Sequence, residues 1–529
     1  MRARPPSLSA AARAAALCVA ALAGCTVGPT FKPPHADVPA AWNDTQRATQ
    51  APAPQSPSPS TPSDESDPDP RWWHSFGDPT LDALIDRALM DNPDLHEAVV
   101  RIAEARAQVQ QTASQGLPNV RANASYKREQ LGLKGFFQDE GVYSGVNGLS
   151  SPTSPLNQFA PGAGALAQRG AMNALNQLTD PVNLWQAGFD ASWEIDLFGR
   201  VRRSVEASKA QADAAVESQH DAQVSLEAEV AETYLQLRGA QAMRALAQSL
   251  IDEQHQVVDL SRNGAKHGLE SELNVERADA QREQTEAMLP QYDQQIAQAL
   301  NGLAVLVGEA PGALDAQLTT PAALPQTPPS VPIGLPSTLA RRRPDIRQAE
   351  AQLHAATASV GVAVAQFYPD ISLGAQAGTR ATTPGDLAHW ANVFWSWGPS
   401  VSLPIFEGGA LVANLKLTKL REVQAAIEYR RTVLVALRDV ENALAVYRTD
   451  QSRLASLDAA ASAQQRAFGL ARDSYRHGLV SFIDVLDAQS QLTTAQRDAE
   501  QARLQVSTDL VSLYKALGGG WTDPQQASR

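Results

Sequence analysis

One short stretch constrains this chain more than any other: residues 475–488, Y-R-H-G-L-V-S-F-I-D-V-L-D-A. Proline-free, helix-compatible sequence runs into it for about 65 residues and out of it for about 30, and Gly478 marks the break. An earlier copy stands at 265–278, A-K-H-G-L-E-S-E-L-N-V-E-R-A, offset by 478 − 268 = 210 positions. Glycine takes the left-handed conformation that ends a helix, which most residues avoid. Each stretch therefore reads as the tip of a long helical hairpin, and two matching tips indicate an internal duplication. At about 1.5 Å per residue, the leading helices at 199–263 and 409–477 reach roughly 90–100 Å. Helices this long need partners along their length, as in a coiled coil. The return helices, 271–307 and 481–517, are shorter.

A second register supports the duplication. Asn92-Pro93 reads as an N-cap and first-turn proline, and Leu117-Pro118 closes that helix. Arg343-Pro344-Asp345 and Tyr368-Pro369 repeat the construction at the same spacing, 118 − 93 = 369 − 344 = 25. Two stretches of period two follow each helix. In the first copy Val120, Ala122, Ala124 and Tyr126 alternate with polar residues, then Trp185, Ala187, Phe189, Ala191, Trp193, Ile195 and Leu197. The second copy has Ile371, Leu373, Ala375 and Ala377, then Val393, Trp395, Trp397, Val401, Leu403 and Ile405. All four read as strands with one apolar and one polar face.

No further strands supply the second sheet of a soluble sandwich, and Trp185, Trp193, Trp390, Trp395 and Trp397 crowd into these segments. An apolar exterior with interfacial aromatics fits a membrane barrel. Four strands cannot close, and an open edge in lipid leaves backbone groups unsatisfied. The barrel must then be shared: two chains give eight strands that side chains fill, while three give twelve and room for a lumen. Three is the expectation. A Gly/Ser/Pro/Asn-rich insert at 133–181 and its short counterpart at 380–390 are expected to be external loops.

The N-terminus carries Arg2, Arg4 and Arg13 ahead of a short apolar run, 14–23, and then Leu22-Ala-Gly-Cys25. That is a signal peptide too short to span a bilayer, and its end resembles the bacterial lipoprotein box, which would make Cys25 the lipidated first residue. Thr26 follows in place of the Asp that retains such proteins at the inner membrane, so the outer membrane is expected. Cys18 leaves with the signal, and no disulfide remains possible within the chain. Pro/Ser-rich sequence then runs to about residue 70 as a flexible tether. The expected division is 1–24 signal peptide, 25–70 tether, 71–308 first repeat, 309–335 Pro-rich linker, 336–520 second repeat and 521–529 tail.

The formal charge of −13 and the absence of a basic run argue against nucleic acid. No phosphate loop, zinc helix, nucleophile elbow or cysteine pair is present, and the nine His show no ligand spacing, so neither an enzyme nor a cofactor is expected beyond the lipid on Cys25.

Taken together, C-T-V-G-P at 25–29, W-W-x-x-F-G-D-P-x-L at 72–81, W-E-I-D-L-F-G-R at 193–200, L-P-S-T-L-A-R-R-R-P-D-I at 335–346 and F-Y-P-D-I at 367–371 resemble the TolC-like outer-membrane efflux channels. The likeness is to the lipoprotein branch that serves RND-type multidrug pumps. It implies a homotrimer, with a twelve-strand barrel in the outer membrane and a twelve-helix periplasmic tunnel. It would be a passive exit duct for drugs or other small molecules, delivered by an inner-membrane RND-type pump through a periplasmic adaptor. Type I secretion is the alternative duty. A lipid-anchored adaptor would have one hairpin flanked by soluble β domains.

The resemblance also implies roles at the tips. Asp484 and Asp487, three apart on one helical face, would line the periplasmic entrance as six carboxylates, with Ile483 as an apolar constriction. Crowding of like charges would raise the pKa of some of them. Tyr475 matches a Tyr that ties neighbouring coils. Gly268, Leu269, Gly478 and Leu479 match the tip motif that meets the adaptor. Asn274 stands where some relatives carry another Asp, Arg277 opposite Asp487, and Val480 where some carry a coil-tying Arg. His267 and His477 precede the tip glycines and would make docking respond to pH.

Overall fold

A computed structural model describes residues 26–35, 38–43, 61–63, 69–130 and 132–521. Its main elements run β1 (Thr61–Ser63), α1 (Pro79–Asp91), α2 (Pro93–Ser114), β2 (Asn119–Glu129), α3 (Leu133–Asp139), α4 (Val142–Gly148), α5 (Pro155–Phe159), α6 (Ala163–Thr179) and β3 (Val182–Glu194). They continue with α7 (Arg200–Lys266), α8 (Glu272–Glu286), α9 (Leu289–Leu306), α10 (Asp315–Leu318), β4 (Ser330–Pro332), α11 (Pro336–Arg342), α12 (Pro344–Ala365), β5 (Asp370–Ala381), β6 (Val393–Ser402), α13 (Ala410–Arg476) and α14 (Phe482–Ala516). Two compact units hold the described parts of 1–28, 111–204 and 361–413, and of 29–110, 205–360 and 414–521.

The first unit is built on an antiparallel sheet in the order β2-β3-β5-β6. Its register brings the apolar positions of all four strands onto one face. Ala122 lies opposite Phe189, Phe189 opposite Ala377, and Ala377 opposite Trp395. The other face carries Asn123, Gln186, Asp190 and Arg380, where Asn123 donates to Asp190 and Arg380 Nη2 donates to Gln186 Oε1 at 3.0 Å. At the end of β3 the stretch W-E-I-D-L-F-G-R makes the turn into α7. Asp196 accepts from the backbone N–H groups of Val201 and Arg202, Arg200 pairs with Glu194, and Gly199 turns with φ +84°. These carboxylate contacts satisfy N–H groups that a helix start leaves without partners. Ile195 and Leu197, read as strand, belong to this turn.

Long helices dominate the second unit. α7 and α13 each have 67 residues, about 100 Å at the helical rise. Their core gathers Trp42, Trp72, Trp73, Leu81, Leu84, Ile85, Tyr234, Tyr447 and Tyr514. The W-W-x-x-F-G-D-P-x-L stretch anchors it: Trp72 stacks on Tyr514 at 5.1 Å, and Asp78 caps α1 while accepting from Tyr234 Oη at 2.5 Å.

Two expectations change, and two further segments gain structure. The insert at 133–181 is built of helices, because Gly132, Gly141 and Gly162 at positive φ and Ser154-Pro155 each start one. The first return helix is broken at 287–288. Pro290 enters the first turn of α9 without an N–H to continue α8, whereas its counterpart in the unbroken α14 is Glu500. Parts of the segment read as a tether are docked: Val27 N donates to Phe198 O, Trp42 is buried with its Nε1 donating to Gly334 O at 2.8 Å, and β1 pairs in parallel with β4. The Pro-rich linker is docked too, burying Leu314, Leu318, Val331 and Ile333. Cys25, with the whole signal peptide, lies outside the described residues. Among the described residues no helix is long and apolar enough to cross a membrane.

Candidate functional site: the paired hairpin tips

Both tips close by the same backbone device. Leu269 N donates to Gly264 O and Leu479 N to Ser474 O, each at 2.9 Å, around Gly268 at φ +71° and Gly478 at φ +72°. This is the bond that satisfies the last carbonyls of a helix when a glycine turns left-handed after it. His267 Nδ1 and His477 Nδ1 reach the carbonyls of Asn263 and Asp473 at 2.8 and 2.9 Å, so each ring donates into its own helix end. Leu269 and Leu479 project with 80% and 76% of their surface exposed.

The return helices start on serines. Ser481 accepts from the backbone of Asp484, while Ser481 N and Oγ donate to Asp484 Oδ2 at 2.8 and 2.7 Å. These donors hold the Asp484 carboxyl below its ordinary value. Ser271 caps α8 through Asn274 N, and Asn274 Nδ2 donates to Glu270 Oε2 at 2.6 Å. In α14 the residues Phe482, Val485, Leu486 and Gln489 are buried, and Ile483, Asp484 and Asp487 are exposed. The three candidate constriction residues thus share the side that the protomer leaves open.

The two tips are tied to each other. Tyr475 Oη donates to Glu270 Oε1 at 2.9 Å, and its ring packs edge-on against Phe482 at 5.4 Å. Partial burial and the carboxylate beside it push the phenol up to about 12. Behind it Val257, Val258, Ala278, Phe468, Phe482, Val485, Leu486 and Leu492 form a small core drawn from both hairpins. Glu270, the partner of Tyr475, escaped the sequence reading, which placed ties at Tyr475 and Val480. Its signal was position, two residues past the tip glycine. Arg277 is exposed, and Val480 is only just so.

The model of the family described as outer membrane efflux protein matches residues 84–309 and 335–519. The chain is 31% identical over 513 residues to the probable efflux pump outer membrane protein TtgC of Pseudomonas putida, covering 96% of each. It is 27% identical to the cation efflux system protein CusC of Escherichia coli, covering 95% of this chain and 98% of that one. Among solved structures it superposes on the outer-membrane channel OprN with a TM-score of 0.79 at 33% identity, over 94% of this chain and all of that one. The open state of the Neisseria gonorrhoeae MtrE outer membrane channel gives 0.72 at 29% identity, over 94% and 98%. A duplicated chain of strand pairs and long hairpins, matched along nearly its whole length, belongs to the outer membrane efflux protein family.

Proposed function

We propose that three copies of the chain close one twelve-strand barrel in the outer membrane, with their long helices as the periplasmic conduit. The duct gives passive exit to molecules brought by an inner-membrane RND-type pump through a periplasmic adaptor. The carrying observation is the sheet: four strands wide, apolar on one face, polar on the other, and open at β2 and β6. In hydrocarbon each unpaired backbone group costs on the order of several kcal/mol, so such a sheet must close with others. Twelve strands leave a lumen that the Asn123, Gln186 and Arg380 face can line. Acylation of Cys25 would anchor each copy in the outer membrane. At the tips, Asp484, Asp487 and Ile483 form the entrance constriction, and Leu269 and Leu479 beside Gly268 and Gly478 meet the adaptor. The toluene and antibiotic efflux named for the Pseudomonas putida relatives supports small organic molecules as the cargo.

Single-channel recording of the detergent-extracted protein in a planar bilayer tests this reading. Discrete, cation-selective openings are expected. Silence from both the native protein and the Asp484→Ala, Asp487→Ala variant would overturn it.

A further inference from the structure

The break that Pro290 makes between α8 and α9 opens onto a groove of about 630 Å³ walled by α7, α9 and α14. That volume suits a drug-sized molecule. Met243, Met288 and Leu504 give it an apolar side, with Ala240 and Ala299 at its floor. Five glutamines border it, among them Gln236, Gln295 and Gln501, together with Tyr292 and Arg497. No Asp or Glu lines it, in a chain that carries 57 acidic residues against 44 basic ones.

Two of these groups have nothing to bind within the protomer. Tyr292 is nine-tenths buried, and among the described residues its hydroxyl has no hydrogen-bond partner. Burial pushes the phenol up, and the guanidinium of Arg497 offsets part of that rise, so the two lie within electrostatic reach. Arg497 is partly buried, and among the described residues it makes no hydrogen bond and no ion pair. Arginines near it on the same helices are engaged: Arg244 by Asp293 at 2.5 Å and Arg503 by Asp458 at 2.9 Å.

The duplication marks the lack of acid as particular to this groove. Ala240, Met288 and Ala299 have Asp450, Asp498 and Asp509 as their counterparts 210 positions on. Asp450 and Asp509 meet across the second hairpin, where the first repeat has two alanines. The groove also lies on the side of α14 that carries the candidate entrance. Gln501 follows Asp487 by 501 − 487 = 14 residues, two heptads, so the two share a face about 21 Å apart, and both are exposed.

We propose that this groove binds amphiphilic organic anions: Arg497 and the Tyr292 hydroxyl take the anionic group, and the apolar body lies along Met243, Met288 and Leu504. An anion gives both donors charge-assisted bonds that the protomer itself does not supply. A cation would meet the like charge of Arg497 and find no carboxylate. The groove thus offers cargo a charge opposite to that of Asp484 and Asp487. The proposal rests on the exit-duct reading for its place in the conduit and adds a chemical class that pauses there.

Isothermal titration of the detergent-extracted full chain with naphthalene-2-sulfonate tests the site, with (2-naphthylmethyl)trimethylammonium as the matched cation and matching micelles as the blank. Saturable binding of the sulfonate is expected, with severalfold weaker binding of the cation. Arg497→Gln is expected to weaken the sulfonate about tenfold, Arg497→Lys by less, and Tyr292→Phe severalfold. Gln236→Glu, Gln295→Glu, both at exposed positions, adds carboxylates to the rim without burying charge and is expected to abolish binding. Sulfonate binding that is equal in the native protein and Arg497→Gln, or no tighter than that of the cation, overturns the site, as does none at all. Recording the same preparation in a planar bilayer keeps the two readings apart. Openings without sulfonate binding leave the duct and remove the site, and sulfonate binding without openings does the reverse.

Discussion

Tyr475, on the last turn of α13, donates its hydroxyl to Glu270 of the other hairpin at 2.9 Å, and Glu270 accepts from Asn274 with its second oxygen. The duplicated halves are thereby joined at their tips by one carboxylate. Tyr475→Phe removes that bond and keeps the ring on Phe482. It is expected to cost about 1 kcal/mol and to leave Glu270 held by Asn274 of its own hairpin, with the tie between hairpins gone. Larger single-channel conductance than the native protein checks it. Since the phenol is raised to about 12 in the fold, the tie is complete below pH 10 and lost as pH rises towards 12. The Tyr475→Phe variant should lack that alkaline change.

Asp484 serves as a helix cap as well as a candidate ring residue. Its carboxyl is depressed by the Ser481 donors, so the cap is present above the ordinary Asp value and lost as pH falls through the lower, folded one. Asp484→Ala, Asp487→Ala is expected to lose cation preference and block by multivalent cations at neutral pH. Reversal potentials in a salt gradient measure this. A Ser481→Ala variant with native selectivity would separate the cap from the charge.

Glu227 lies fully buried on α7, with Oε1 accepting from Gln223 and burial pushing its carboxyl up to about 9. The neutral form suits the fold, so its contribution is whole below the unfolded value near 4.5 and is lost as pH rises towards 9. Glu227→Gln keeps the shape without the titration. At pH 7.5 it is expected to stabilise the protein by about 2–4 kcal/mol, and the gain should vanish at pH 4.5. Thermal midpoints at both pH values decide this.

Gly28 has φ +92°, and a Cβ there would come within 2.5 Å of Gly361 Cα. Neither backbone has a flexible end to yield. Gly28→Ala is expected to cost about 1–3 kcal/mol through strain and overpacking, and to release the segment whose Val27 N bonds Phe198 O. Faster proteolysis after residue 35, compared with Gly77→Ala, which meets nothing within 4 Å, reads the effect.

Periodicity and punctuation made most of the architecture legible. Apolar residues two apart placed the four strands, Asn92-Pro93 and Arg343-Pro344 opened the two equivalent helices, and the glycines at 268 and 478 ended the long ones. Pro290, which the expected return helix 271–307 passed over, breaks that helix through its missing N–H. The docked segment around Trp42 was hidden by Pro/Ser-rich surroundings, where a single aromatic makes no pattern.

What the sequence by itself determined is therefore local and repetitive: strand faces, helix ends, the 210-residue offset, and the family motifs. A residue's own backbone preferences and its near neighbours are enough to specify these. Only the tertiary structure decided that Tyr475 bonds Glu270, that Asp484 is held by Ser481 and that the insert folds as helices. Such facts depend on which distant segments meet. Burial and hydrogen-bond partners belong to the assembled surfaces, and no spacing along the chain encodes them.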